Sequence, residues 1–145
     1  MRIVMNGVTG RMGYRQHLVR SILAIRDDGG VLRPDGTRLQ VEPVIVGRNR
    51  EKLTEIARRH DIDAVHTDLD AALALADAPV YFDALVTSER KKTILRAIAA
   101  GKHVYTEKPT AESVAEGQEL VEAARAAGIV TVSYTHLTLP TNREV

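Results

Sequence analysis

The sequence predicts an α/β protein built on a doubly wound parallel sheet in a single domain. Three observations carry that prediction. Short apolar runs alternate with amphipathic stretches from end to end. A glycine-spaced turn, Gly7-Val8-Thr9-Gly10-Arg11-Met12-Gly13, follows the first run and opens the first helical stretch. The 145 residues, 44% hydrophobic and 27% charged, suit one packed domain and exclude wholesale disorder.

The elements follow in order. Arg2 to Met5 is a short strand. Tyr14, Leu18, Ile22 and Ile25 recur at helical spacing, with Val19 and Leu23 widening the stripe. Asp27 to Leu39 carries turn signals, Asp-Asp-Gly-Gly and Arg-Pro-Asp-Gly, and reads as a long polar connection with its own tight turn. Gln40 to Val46 is a strand. Asn49 caps a helix over Arg50 to His60. Ala64 to His66 is a short strand, and Asp68 caps a helix through Ala76. Val80 to Val86 is a buried strand. Ser88 caps the next helix, whose apolar face is Ile94, Leu95 and Ile98 and which ends at Gly101. His103 to Tyr105 is a strand, and Ser113 with Glu116 forms a capping box for a helix ending before Gly128. Ile129 to Val132 opens the last strand. Apolar strands separated by helices imply a parallel sheet covered on both faces.

Residues 1–132 are therefore read as a dinucleotide-binding Rossmann domain. Residues 133–145 depart from the pattern, with polar residues crowding Leu137 and Leu139, and are read as a non-native tail on a truncated chain. Thr135 to Leu139 alternates and is a weaker strand candidate.

Composition narrows the function classes. Cysteine is absent, which removes disulfides, thiolate metal sites and cysteine nucleophiles together. No apolar run approaches the ~20 residues of a membrane span, and no leader precedes the first strand, so a cytoplasmic protein is expected. Residues 1–60 carry 12 basic and 6 acidic side chains, and residues 61–145 carry 8 and 13. With aromatics at 3%, the basic half is read as solvated surface and a local anion site, not a nucleic-acid interface.

The glycine motif supplies a reason for that anion site. Gly7 allows a tight turn, Gly10 lets backbone N–H groups approach a pyrophosphate, and Gly13 permits close helix–strand packing. Thr9, Arg11 and Met12 fill the same loop and join the candidate cofactor contacts. The end of the second main strand reads Gly47-Arg48-Asn49-Arg50 in place of a carboxylate. An acidic side chain there would accept the ribose hydroxyls of NAD, whereas a guanidinium pairs with a 2′-phosphate. NADP is therefore favoured, with NAD possible, and Arg48 and Asn49 are the candidate contacts. Thr106-Glu107-Lys108-Pro109 follows the fifth strand, at the edge where open α/β sheets bind ligands. None of the five histidines forms a His-x-x-x-His pair or finds a carboxylate at ligand spacing, and no metal site is expected. Arg90, Lys91 and Lys92 open a helix and are expected to be exposed.

Gly-Val-Thr-Gly-Arg-Met-Gly, followed by Ala-Ala-Gly-Lys-His-Val-Tyr-Thr-Glu-Lys-Pro at 99–109, resembles the glucose–fructose oxidoreductase and inositol 2-dehydrogenase family over residues 1 to about 132. The resemblance implies hydride transfer between a nicotinamide cofactor and a sugar, polyol or related hydroxyl compound. It implies that Lys108 lies beside the nicotinamide and is catalytic, that Glu107 reaches the nicotinamide ribose, and that Thr87 and Ser88 line the cofactor. It also implies a homo-oligomeric parent with a second, substrate-holding domain. That domain and its histidine are absent here, so the chain alone is expected to be inactive. After the fourth strand, Thr87-Ser88-Glu89-Arg90 replaces the proline-rich segment with histidine common in the family. Two other readings stay open: a dihydrodipicolinate reductase-like enzyme, which shares Gly-Arg-Met-Gly, and a non-catalytic NADP-binding regulatory module.

Overall fold

The computed structural model describes residues 1–134. Six strands form one parallel sheet: β1 (Arg2–Asn6), β4 (Glu42–Val46), β5 (Ala64–His66), β6 (Val80–Asp83), β7 (His103–Glu107) and β8 (Thr131–Tyr134). Their spatial order is β5-β4-β1-β6-β7-β8, so the chain winds outward from β1 in one direction and then, from β6, in the other. The long polar connection folds as an antiparallel hairpin of β2 (Val31–Leu32) and β3 (Arg38–Leu39), the tight turn its glycines predict.

The first helix, α1, is wound as a π-helix over Gly13–Leu23 and continues in α geometry over Ala24–Asp27. Four more follow: α2 (Arg50–His60), α3 (Leu69–Leu73), α4 (Thr87–Ala99) and α5 (Val114–Ala126). The caps at Asn49, Asp68 and Ser113 form as predicted, each side chain accepting from a backbone N–H of its first turn.

Strand alternation splits the core in two. Val4 and Val44 pack with Leu73, Tyr81, Ile94 and Leu120 on the face covered by α3, α4 and α5. Ile3, Met5 and Ile45 pack with Leu18, Leu53 and Phe82 beneath α1 and α2. Adjacent buried strand residues therefore serve opposite faces, which is why the strands read as continuous apolar runs.

Several element bounds differ from expectation. Ser88 is not a cap: α4 begins at Thr87, with Val86 in the cap position and no side-chain bond there. Helix α3 stops at Leu73, short of Ala76, and β6 ends at Asp83. The strand expected to open over 129–132 is β8, Thr131–Tyr134, which pairs with β7 up to Glu107. The remaining tail, including Thr135, Leu137 and Leu139, lies outside the described residues. Among the described residues no helix is long and apolar enough to cross a membrane.

Candidate functional site

Parallel register brings four loops to one edge of the sheet. Asn6 pairs with Val46 and Asp83, and Asp83 with Thr106. The chain then leaves these strands as Gly7, Gly47, Ala84 and Glu107-Lys108, all at the C-terminal edge. Between the two winding directions lies a cleft of about 490 Å³. Gly7 and Thr9 after β1, Arg48 and Asn49 after β4, and Leu85 and Val86 after β6 line it. This is the switch-point crevice where open α/β sheets take ligands.

The three glycines of the first loop do different work. Gly7 has φ +90°, and a Cβ there would stand 2.7 Å from the Ala84 carbonyl carbon. A Cβ on Gly13 would drive into the Gly7 carbonyl, so the helix could not approach the strand. These two glycines are demanded by the fold. Gly10 is exposed, and a Cβ there would meet only Gly7 O, at 3.3 Å. Its openness serves the space outside the chain. No side chain caps the helix that follows, which leaves the loop backbone as the lining for an anion. These features fit a dinucleotide pyrophosphate.

The other predicted residues fall around this centre. Thr9 borders a second depression as well, between α1 and α2, which it lines with Gly10, Arg11, Arg15, Lys52 and Arg59. Met12 is 52% exposed at the helix start. Arg48 is exposed on the cleft rim, and the Asn49 side chain accepts from Lys52 N at 2.9 Å. Thr87 and Ser88 sit in the first turn of α4, one and two residues past Val86. Lys108 is exposed on the loop after β7, and its bond to Pro109 is cis. Glu107 is buried, and both its carboxylate oxygens are engaged within the chain. The His17 ring donates from Nε2 to Oε1, and Lys108 N donates to Oε2 at 3.2 Å.

Sequence reasoning missed two features here. His17 does meet a carboxylate, although the chain separates it from Glu107 by 90 positions. Arg90, expected at the surface, is 5% exposed. It is buried because Asp83, fully enclosed at the end of β6, needs a counter-charge: Arg90 Nε donates to Asp83 Oδ1 at 3.3 Å. Tyr81 Oη and Thr93 Oγ1 donate to the other oxygen at 2.7 and 2.9 Å, and Leu85 N donates to Oδ1 at 3.0 Å. Asn6 Nδ2 donates to Tyr81 Oη at 3.0 Å, extending the network to β1. Burial and the Asp83 carboxylate together hold the Tyr81 hydroxyl well above its ordinary pKa. The available signal was an aspartate inside an otherwise apolar strand run.

The fold agrees with the comparisons to known proteins. The family model "Oxidoreductase family, NAD-binding Rossmann fold" matches residues 1–136. The chain belongs to this Gfo/Idh/MocA oxidoreductase family. Within it, a D-xylose dehydrogenase from Paenarthrobacter nicotinovorans is 49% identical over 141 residues, which is 97% of this chain and 36% of that protein. The chain thus spans about a third of the length of that relative. Among solved structures, a Gfo/Idh/MocA family oxidoreductase from Vibrio cholerae superposes with TM-score 0.75 at 22% identity, covering 92% of this chain and 38% of that one. A 3-ketoreductase from Actinomadura kijaniata, solved with NADP and TDP-benzene, superposes with TM-score 0.71 at 22% identity over 92% of this chain and 36% of its own. The chain thereby shares the Gfo/Idh/MocA fold.

Proposed function

We propose that this chain is the cofactor-binding part of an oxidoreductase that transfers a hydride between NADP(H) and a sugar, polyol or related CH–OH substrate. The observation that carries the reading is the glycine-spaced loop, which puts Gly7 and Thr9 on one wall of a cleft and the exposed Arg48 on the other, with Gly10 exposed beside it. A bound nicotinamide dinucleotide would supply the hydride acceptor or donor at its nicotinamide ring.

The chain's own residues do the rest. The backbone from Thr9 to Met12 receives the pyrophosphate, and the uncapped start of α1 favours its charge. Arg48 pairs with a 2′-phosphate, and the absence of a carboxylate at that strand end removes the repulsion such a phosphate would meet. Lys108 holds a proton at Nζ for hydrogen bonding to the substrate oxygen, the catalytic role assigned to it. Thr87 and Ser88 border the cofactor from the first turn of α4. The likeness to a D-xylose dehydrogenase supports an aldose as the substrate.

Titration with NADP and NAD tests the first half, and absorbance at 340 nm with a panel of aldoses and polyols tests the second. The chain should bind NADP. It should turn over none of the panel at ordinary enzyme rates, because hydride transfer needs the substrate carbon held about 3–3.5 Å from the nicotinamide. A chain that binds neither dinucleotide would defeat the reading.

A further inference from the structure

Lys108 is exposed, yet its backbone is not left to the mobility usual for a loop. Arg90 Nη1 donates to the carbonyl of Glu107 at 2.8 Å and also to the carbonyl of Pro109, the two peptide oxygens that bracket Lys108. Its Nη2 donates at 2.7 Å to the carbonyl of Leu85, on the cleft-lining loop after β6. Its Nε is held by the buried Asp83. A single guanidinium therefore ties two loops of the C-terminal edge to the end of a central strand. Only arginine offers donors spread over a rigid plane wide enough for this; a lysine ammonium is one point charge on a flexible stem.

We infer that Arg90 is a positioning residue, fixing the Glu107–Pro109 turn and so the place of Lys108 relative to the cofactor cleft. The inference rests on the proposed role of Lys108 for its functional meaning, but the contact geometry stands without it. Asp83 supports the arrangement by supplying the charge that lets a guanidinium remain inside, and Tyr81, Thr93 and Leu85 N satisfy its remaining acceptor capacity. The Glu107 carboxylate adds a second restraint through the Lys108 N–H.

The test is amide exchange by NMR on the whole chain, comparing the unaltered protein with Arg90→Lys and Arg90→Met. In the unaltered protein the Arg90 guanidinium protons should be resolved and slow to exchange. Both variants should speed exchange at the Lys108 amide by about tenfold or more, the loss of roughly one net hydrogen bond. Arg90→Lys, which keeps the charge beside Asp83, should leave the Val4 and Val44 amides as protected as before. A purely structural role would instead lower protection across the sheet together with Lys108. Unchanged Lys108 exchange in a folded Arg90→Lys, loss confined to a general collapse of protection, or fast-exchanging guanidinium protons in the unaltered protein would each overturn the inference. NADP titration of the same samples is scored separately: absent binding by the unaltered protein counts against the functional reading and not against Arg90.

Discussion

The ring of His17, one turn into the first helix, donates to the carboxylate of Glu107 at the far end of β7. Both side chains are buried, at 5% and 7% exposure. The bond links the glycine-loop helix to the Lys108 turn. The His17 ring also lies 4.6 Å from that of Phe82, so the pair sits on the apolar floor under α1.

Breaking that pair should be expensive. His17→Ala leaves a buried carboxylate with one oxygen unpartnered, and the expected loss is about 3–5 kcal/mol of unfolding free energy. His17→Gln, which retains an N–H donor, should lose less. Urea unfolding of the two variants checks the order, and equal losses would remove the hydrogen bond from the explanation.

Cofactor preference should follow Arg48. Its side chain is exposed on the cleft rim, so Arg48→Ala should leave stability unchanged. Binding of NADP should weaken by about 1.5–3 kcal/mol, the worth of a charge-assisted pair to phosphate. NAD binding should hardly change. Calorimetric titration with both dinucleotides measures the difference, and an unaltered preference would acquit Arg48.

The glycines should separate into two classes. Gly10→Val brings its Cβ to a single tight contact, 3.3 Å from Gly7 O, at an exposed position, so circular dichroism and melting should stay near native while dinucleotide binding is lost. Gly7→Ala combines a left-handed backbone with a collision against Ala84 and should cost at least about 1–3 kcal/mol. A Gly10→Val protein that still binds NADP would sink the pyrophosphate assignment.

Alkaline stability should depend on Tyr81. Burial first, and then the neighbouring Asp83 charge, raise the pKa of its hydroxyl in the folded chain. The folded state therefore holds that proton more tightly than the unfolded state does. The resulting stabilisation is complete below the unfolded value of about 10 and is lost as pH rises above it. Denaturant midpoints should fall between about pH 10 and 12, and the fall should be shallower in Tyr81→Phe. Parallel slopes for the two proteins would show that other groups govern the alkaline limit.

The sequence by itself determined the class of fold and the glycine-spaced turn at its C-terminal edge, because both are written in local patterns. Apolar runs of strand length, caps at Asn49, Asp68 and Ser113, and glycines three apart act over a few residues, and neighbouring side chains decide their outcome. Which glycines the packing demands and which stand exposed was not local. Gly7 and Gly10 look alike in the chain, and only the approach of Ala84 from β6 separates them. The same holds for Arg90, where a basic residue in a first helical turn reads as surface. It becomes buried once sheet order sets Asp83 and the Glu107–Pro109 turn around it. His17 and Glu107 share no periodicity across 90 positions. Their meeting required β7, two places from β1 in the sheet, to end under the helix that β1 launches. Contacts of this kind depend on distance in space, and tertiary packing alone decided them.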